Sequence, residues 1–278
     1  MSGRISNTFD LMGTSWSVLK QDKELLIFPF LSALACIAVM VSFALPLANS
    51  NFYDDLRNGT GNQAVYYAII FGFYFATYFI ATFFNCAILG CCVKRMRGGD
   101  PTVADGFRIA GSRLPQILGW ALFAASVGLL LRIIADSNKQ IGSIVSSILG
   151  MAWSVLTFLV VPVLVMEGLG PIDAFKRSSK LLSQTWGDQL IGNFAFALLQ
   201  FLFIIPGIIV AMFGVVQDAP AMRWIVVGIG VLWVVLVVLA FSALEMIFRA
   251  AVYMYAAGEG DRTAFAKPVL AAAMRRNS

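Results

Sequence analysis

WIVVGIGVLWVVLVVLAFSALEMIFRAAVYMY, residues 224–255, decides what kind of molecule this chain builds. From Trp224 to Leu244 twenty-one residues pass without a charge. At about 1.5 Å of rise per residue they make a helix about 30 Å long, the thickness of a bilayer's hydrocarbon core. A helix on a soluble surface alternates an apolar and a polar stripe, whereas here Val, Leu, Ile and Trp fall on every side. Such a helix needs apolar surroundings all round, and lipid provides them. A helix also satisfies its own backbone groups, which is what a membrane demands of any spanning segment.

Five runs of the same character precede it, at 25–47, 64–93, 114–135, 141–166 and 190–216. Pro29 and Pro46 lie near the ends of the first, and the second is rich in Phe and Tyr. Each exceeds the roughly 20 residues a span requires, and the longer ones must tilt or extend beyond the lipid. Composition agrees: 59% of the 278 residues are hydrophobic and 13% charged, with a mean hydropathy of +0.82. A soluble chain carries about 25% charged residues. Apolar sequence begins only near Leu25, after a polar stretch with helical periodicity, so the N-terminus does not read as a cleavable signal peptide.

The net charge of +5 comes from residues beside the apolar runs. With the N-terminus placed in the cytoplasm, sixteen of the twenty Lys and Arg residues fall on the inner side. They include Lys94, Arg95 and Arg97 after the second run, Arg108 and Arg113 before the third, and Lys176, Arg177 and Lys180 before the fifth. Arg57, Arg132, Lys139 and Arg223 remain outside. This asymmetry orients the chain with both termini cytoplasmic in a cytoplasmic (inner or plasma) membrane. It explains the basic balance without nucleic acid, for which no motif exists.

Three inner segments have helical periodicity of their own: Ile5, Phe9, Met12, Trp16 and Leu19; Val103, Phe107, Ala110 and Leu114; and Ile172, Phe175, Ser179, Leu182 and Trp186. In the third, Lys176, Arg177 and Lys180 border the apolar arc with Asp173 and Gln184. Pro101 and Pro171 stand where a first helical turn would begin. The segments read as amphipathic surface helices. Their apolar faces fit lipid, with basic edges on anionic headgroups, or the underside of the spans themselves. The expected fold is therefore all-α, a polytopic membrane helix bundle with six spans and three cytoplasmic surface helices. It forms one membrane domain over 1–258, in pseudo-repeats of about 1–98, 99–168 and 169–258, with a cytoplasmic tail at 259–278.

The chain has no histidine, no C-x-x-C pair, no H-E-x-x-H, no G-x-S-x-G and no phosphate-binding glycine loop. It therefore reads as a non-enzyme that needs no cofactor or metal. Cys36, Cys86, Cys91 and Cys92 read as small buried thiols. Polar groups within the apolar runs are the candidate sites, because burying them in lipid is costly. Asn85, Asn193 and Gln200 suit hydrogen bonds between spans. Glu245 and Arg249, four apart, suit an ion pair within one helix. Glu167, which closes the fourth run, can bridge to Lys176 or Arg177. Arg132 is placed to snorkel outward, and Gly72/Ala76 and Gly207/Ala211 have the spacing of close helix contacts.

Three stretches carry a resemblance. Ser15-Trp16-Ser17-Val18-Leu19-Lys20, followed by Asp22-Lys23-Glu24-Leu25-Leu26 and Phe28-Pro29, resembles the N-terminus of a bacterial and archaeal family of uncharacterised six-helix integral membrane proteins. The residues from Tyr253 to Lys267, with Gly258-Glu259-Gly260, are similar to that family's end. The residues from Glu167 to Ser178 are similar to its E-x-x-G-P-x-x-A-x-x-R-S stretch, which also occurs in the membrane domain ahead of some glycerophosphodiester phosphodiesterases. The resemblance implies a membrane-embedded accessory domain and supplies no catalytic residue. Two functions remain open. One is a scaffold or accessory that organises lipid or unknown protein partners. The other is a small permease for a lipid-like or small solute, which should show interrupted helices at matching places. Pro162 and Pro206 interrupt the fourth and fifth runs at positions that do not match.

Overall fold

In a computed structural model, residues 19–48, 62–137, 141–217 and 219–257 are described, apart from the side chains of 184–196 and 255. The first expected surface helix, the loop between the first two spans and the tail lie outside them, except that Leu19 is described and buried. A 3-10 turn, Lys23–Leu26, leads into α1, Ile27–Ala48. Then come α2, Gln63–Met96, α3, Val103–Ser112, and α4, Leu114–Ser137. After these follow α5, Ile141–Leu156, α6, Val160–Met166, α7, Pro171–Val215, and α8, Pro220–Ala256. The described residues contain no strand. Six helical stretches are long and apolar enough to cross a bilayer. In the most apolar window of each of the last two, only 11% of residues are buried, against 50% in the second. Exposed apolar surface on that scale is stable against lipid and not against water. The chain is an all-α, multi-pass membrane protein.

Two compact units make up the chain, and α2 and α7 each contribute to both. The unit formed by Phe30–Cys91 and Thr102–Leu182 has its core where α2, α4, α6 and α7 meet. Cys86 to Leu89, Ile117, Trp120, Ala121, Ala124, Ala125, Ala174 and Leu181 are buried there around α6. Every residue of α6 from Val160 to Val165 is buried. The fourth run, Ile141–Met166, is one apolar span as expected, but its helix is interrupted at 157–159. Pro162 explains the place: it offers no N–H to the Phe158 carbonyl four residues earlier, and its ring crowds that carbonyl.

α3 forms where a surface helix was expected, but its cap and face differ. Thr102 is the N-cap, in a capping box with Asp105, so Pro101 precedes the helix and does not open its first turn. The buried side is Asp105, Gly106 and Ala110. Ile109 fits against Gly90 of α2, where a Cβ would lie 2.7 Å from it. The Phe107 ring packs against Phe83 and Phe84. The apolar partner of α3 thus includes protein. In α7, Pro171 does occupy the first turn. The buried positions are Ala174, Ser178, Leu181 and Leu182, a face turned from the expected Ile172, Phe175, Ser179 and Leu182. Ile172 is 57% exposed. No loop separates this segment from the fifth span, because helical backbone continues to Val215.

In the unit formed by Met1–Pro29, Cys92–Pro101 and Ser183–Ser278, the 3-10 turn packs against α8. Leu25 and Phe28 are buried, as is most of α8 from Ala243 to Met254. The C-terminal half of α7 and the N-terminal half of α8 touch backbone to backbone. A Cβ on Gly230 would stand 2.5 Å from the Ala211 nitrogen, and one on Gly214 2.7 Å from the Val227 nitrogen. Gly207/Ala211 is therefore a true close contact, whereas Gly72 meets only the Phe43 ring at an ordinary 3.6 Å.

Candidate functional site

One group of polar side chains gathers at the turn from α6 to α7. Gly168 there has φ +65°, a left-handed conformation that glycine adopts at no steric cost. Its N–H and that of Glu167 both donate to the Val163 carbonyl, at 3.2 and 2.9 Å. A side chain at 168 would also collide with the Arg113 guanidinium. Arg113 Nε donates to the Val165 carbonyl at 3.2 Å, and Gln116 Nε2 to the Gly168 carbonyl at 3.4 Å. One turn further along α4, Gly119 leaves room for Pro171. Glu167 accepts two hydrogen bonds from Arg177 Nε, at 2.9 and 3.1 Å.

Ser178 completes the arrangement. Its Oγ donates to the Leu156 carbonyl at 2.8 Å and accepts from the Leu159 N–H at 3.2 Å. Those two groups flank the break in the fourth span, and Ser178 is fully buried beside them. Leaving either group unpaired in a dry interior costs about 1–3 kcal/mol. Most named positions of E-x-x-G-P-x-x-A-x-x-R-S thus have a structural task for the side chain, Gly170 contributing only its backbone carbonyl. Glu167 and Arg177 pair, and Gly170 accepts from the Ala174 N–H at 2.8 Å. Pro171 starts the helix against Gly119, Ala174 is fully buried, and Ser178 closes the break. Trp120, Trp153 and Phe175 stack alongside, with centroids 5.7 and 5.6 Å apart.

A second cluster lies in the other unit. Both Asp22 oxygens accept from Arg95 at the end of α2, and Arg95 also pairs with Asp100. Asp22 is only 8% exposed, so the bidentate guanidinium compensates a carboxylate that burial would otherwise destabilise. The loop that brings Asp100 back is a Schellman turn. Gly98 has φ +85°, with hydrogen bonds from Gly98 N–H to the Arg95 carbonyl at 2.9 Å and from Gly99 N–H to the Lys94 carbonyl at 3.0 Å. In α8, Glu245 pairs with Arg249 as the spacing suggests, both partly exposed.

The remaining candidates fare differently. Asn85 and Gln200 are half-buried, and neither side chain has a hydrogen-bond partner among the described residues. The side chain of Asn193 lies outside the described residues. Lys176 and Lys180 are exposed, while Arg177 turns to Glu167. Arg132 donates to Asp136 at 3.1 Å and to the Tyr66 hydroxyl at 2.9 Å. Sequence reasoning missed Ser178, Arg113, Gln116 and the Asp22–Arg95 pair. Ser178 left two readable traces: it ends the E-x-x-G-P-x-x-A-x-x-R-S stretch, and it sits four residues after Ala174, on the same helical face.

Among the described residues, no group of three His, Cys, Asp or Glu side chains could hold a metal ion. No curated protein matches the chain. A family model does, over residues 64–265, which include α3, the α6–α7 turn and the Glu245–Arg249 pair, and the chain therefore belongs to a family of unknown function (DUF6159).

Proposed function

We propose that this protein is a non-enzymatic accessory or scaffold of the cytoplasmic membrane, with both termini in the cytoplasm. One observation carries the reading: charged residues beside the packed segments are engaged with one another, between segments in the Asp22–Arg95 and Glu167–Arg177 pairs and within α8 in the Glu245–Arg249 pair. Catalysis would need such groups aimed at a substrate. The stretch from Glu167 to Ser178 supports an accessory role, since Glu167, Pro171, Ala174, Arg177 and Ser178 serve packing here. Lys176 and Lys180 are exposed and suit anionic headgroups at the inner surface.

The repeated unit of one inner helix and two spans gains support from two turns. Met96-Arg97-Gly98 and Met166-Glu167-Gly168 each end a helix, place glycine at positive φ, and reach proline three residues later, at Pro101 and Pro171. This local likeness fits a single membrane domain built of similar units.

The break at 157–159 favours a second reading, a small permease, because interrupted spans recur in transporters. Purification from native membranes, with identification of co-purifying proteins and lipids, separates the two. A protein partner recovered in constant ratio supports the accessory. A bound solute, with uptake of that solute into reconstituted vesicles, refutes it in favour of the permease.

A further inference from the structure

Most described arginines meet a carboxylate: Arg95, Arg108, Arg132, Arg177 and Arg249 all do. Arg113 does not. It is half-buried, and its one hydrogen bond runs from Nε to the Val165 carbonyl. The terminal amino groups, which carry most of the guanidinium's donors, have no acceptor among the described residues. The surroundings keep the group in place: Gly168 is bare beneath it, and Gln116 ties the same turn to α4. A guanidinium held partly out of water without an anion is costly, and proteins rarely retain one without a use.

Its position says which anion is available. Arg113 immediately precedes α4, the third apolar span, and a residue at the end of a span falls near the headgroup region of a bilayer. Beside it on α4, Leu114, Leu118 and Leu122 form an exposed stripe at helical spacing, running from the Arg113 end into the span. A forked donor set above an open apolar track matches a lipid with a phosphate head and an acyl tail.

We propose that Arg113 binds the phosphate of an anionic phospholipid whose acyl chain lies along Leu114, Leu118 and Leu122. The proposal deepens the headgroup contact suggested above, and it holds equally for an accessory or a permease.

Thermal unfolding of the full chain in detergent, titrated with phosphatidylglycerol, tests it. Diacylglycerol and glycerol 3-phosphate serve as the phosphate-free and tail-free controls. Phosphatidylglycerol should raise the unfolding midpoint, and neither control should at equal concentration. Arg113→Gln should weaken the apparent lipid affinity about tenfold, the loss expected for a charge-assisted fork. The double change of Lys176 and Lys180 to Gln should weaken it less than about threefold, as exposed charges contribute little. If Arg113→Gln fails to fold, Arg113→Lys keeps the charge without the fork and should still weaken the response several-fold. An unchanged response in the Arg113 variant that folds overturns the proposal. If the lysine pair alone removes the response, headgroup contact stands and the Arg113 site falls. Equal protection by glycerol 3-phosphate would assign the site to soluble phosphate and overturn the lipid.

Discussion

Ser178→Ala removes one oxygen and is expected to strand two buried backbone groups, the Leu156 carbonyl and the Leu159 N–H. The site is fully buried, so no solvent replaces the hydroxyl. At about 1–3 kcal/mol for each stranded group, the loss comes to roughly 2–4 kcal/mol after partial relaxation. For a chain of this size that corresponds to a fall in Tm of roughly 5–15 °C. Ser179→Ala is the matched control, because Ser179 Oγ only donates to the Phe175 carbonyl of its own helix and lies partly exposed. It should cost less than about 1 kcal/mol. Midpoints for both variants, measured by thermal unfolding of purified protein in one detergent, decide the matter. Equal midpoints would refute the claim that Ser178 holds the broken fourth span, and with it the structural account of the E-x-x-G-P-x-x-A-x-x-R-S stretch.

The α8 ion pair makes a different demand. Glu245→Gln and Arg249→Ala should each lower folded yield or thermal stability in detergent, by up to roughly 3–5 kcal/mol where the remaining charge is fully desolvated and less at these partly exposed sites. Changing both, to Leu and Met, should recover much of the loss; singles that fold normally while a transport or binding activity disappears would make the pair a functional site. Gly230→Leu should separate α7 and α8 where they touch, because even a Cβ at 230 meets the Ala211 backbone. A lower midpoint and faster proteolysis near 217–223 are expected, whereas the same change at Gly228, which faces open space, should leave both unaltered.

The spans were legible because each depends on a property summed over about twenty neighbouring residues, and lipid imposes it without regard to tertiary detail. The break in the fourth was half legible. Pro162 was visible in the run, but the backbone parted four residues earlier, where the missing donor and the ring act together. Surface-helix faces were read a residue or so out of turn. The periodicity of 172–186 counts apolar area, whereas the buried face also carries the polar Ser178, which hydrogen-bonds to Leu156 and Leu159. The α3 cap was misread for a related reason: Pro101 suits a first turn, but Thr102 and Asp105 can satisfy each other's backbone groups and so move the start. Asp22 and Arg95 are 73 residues apart, and no local pattern can announce such a pair. Glu245 and Arg249, four apart on one helix, needed only helical spacing.

The orientation of the six spans underlies the accessory reading, the headgroup contacts and the placing of every basic cluster. Fusion of a two-compartment reporter at Asn58, in the loop after the first span, and separately after Ser278 tests it most directly. The account predicts an external signal at Asn58 and a cytoplasmic signal after Ser278. An external signal from the C-terminal fusion would contradict it.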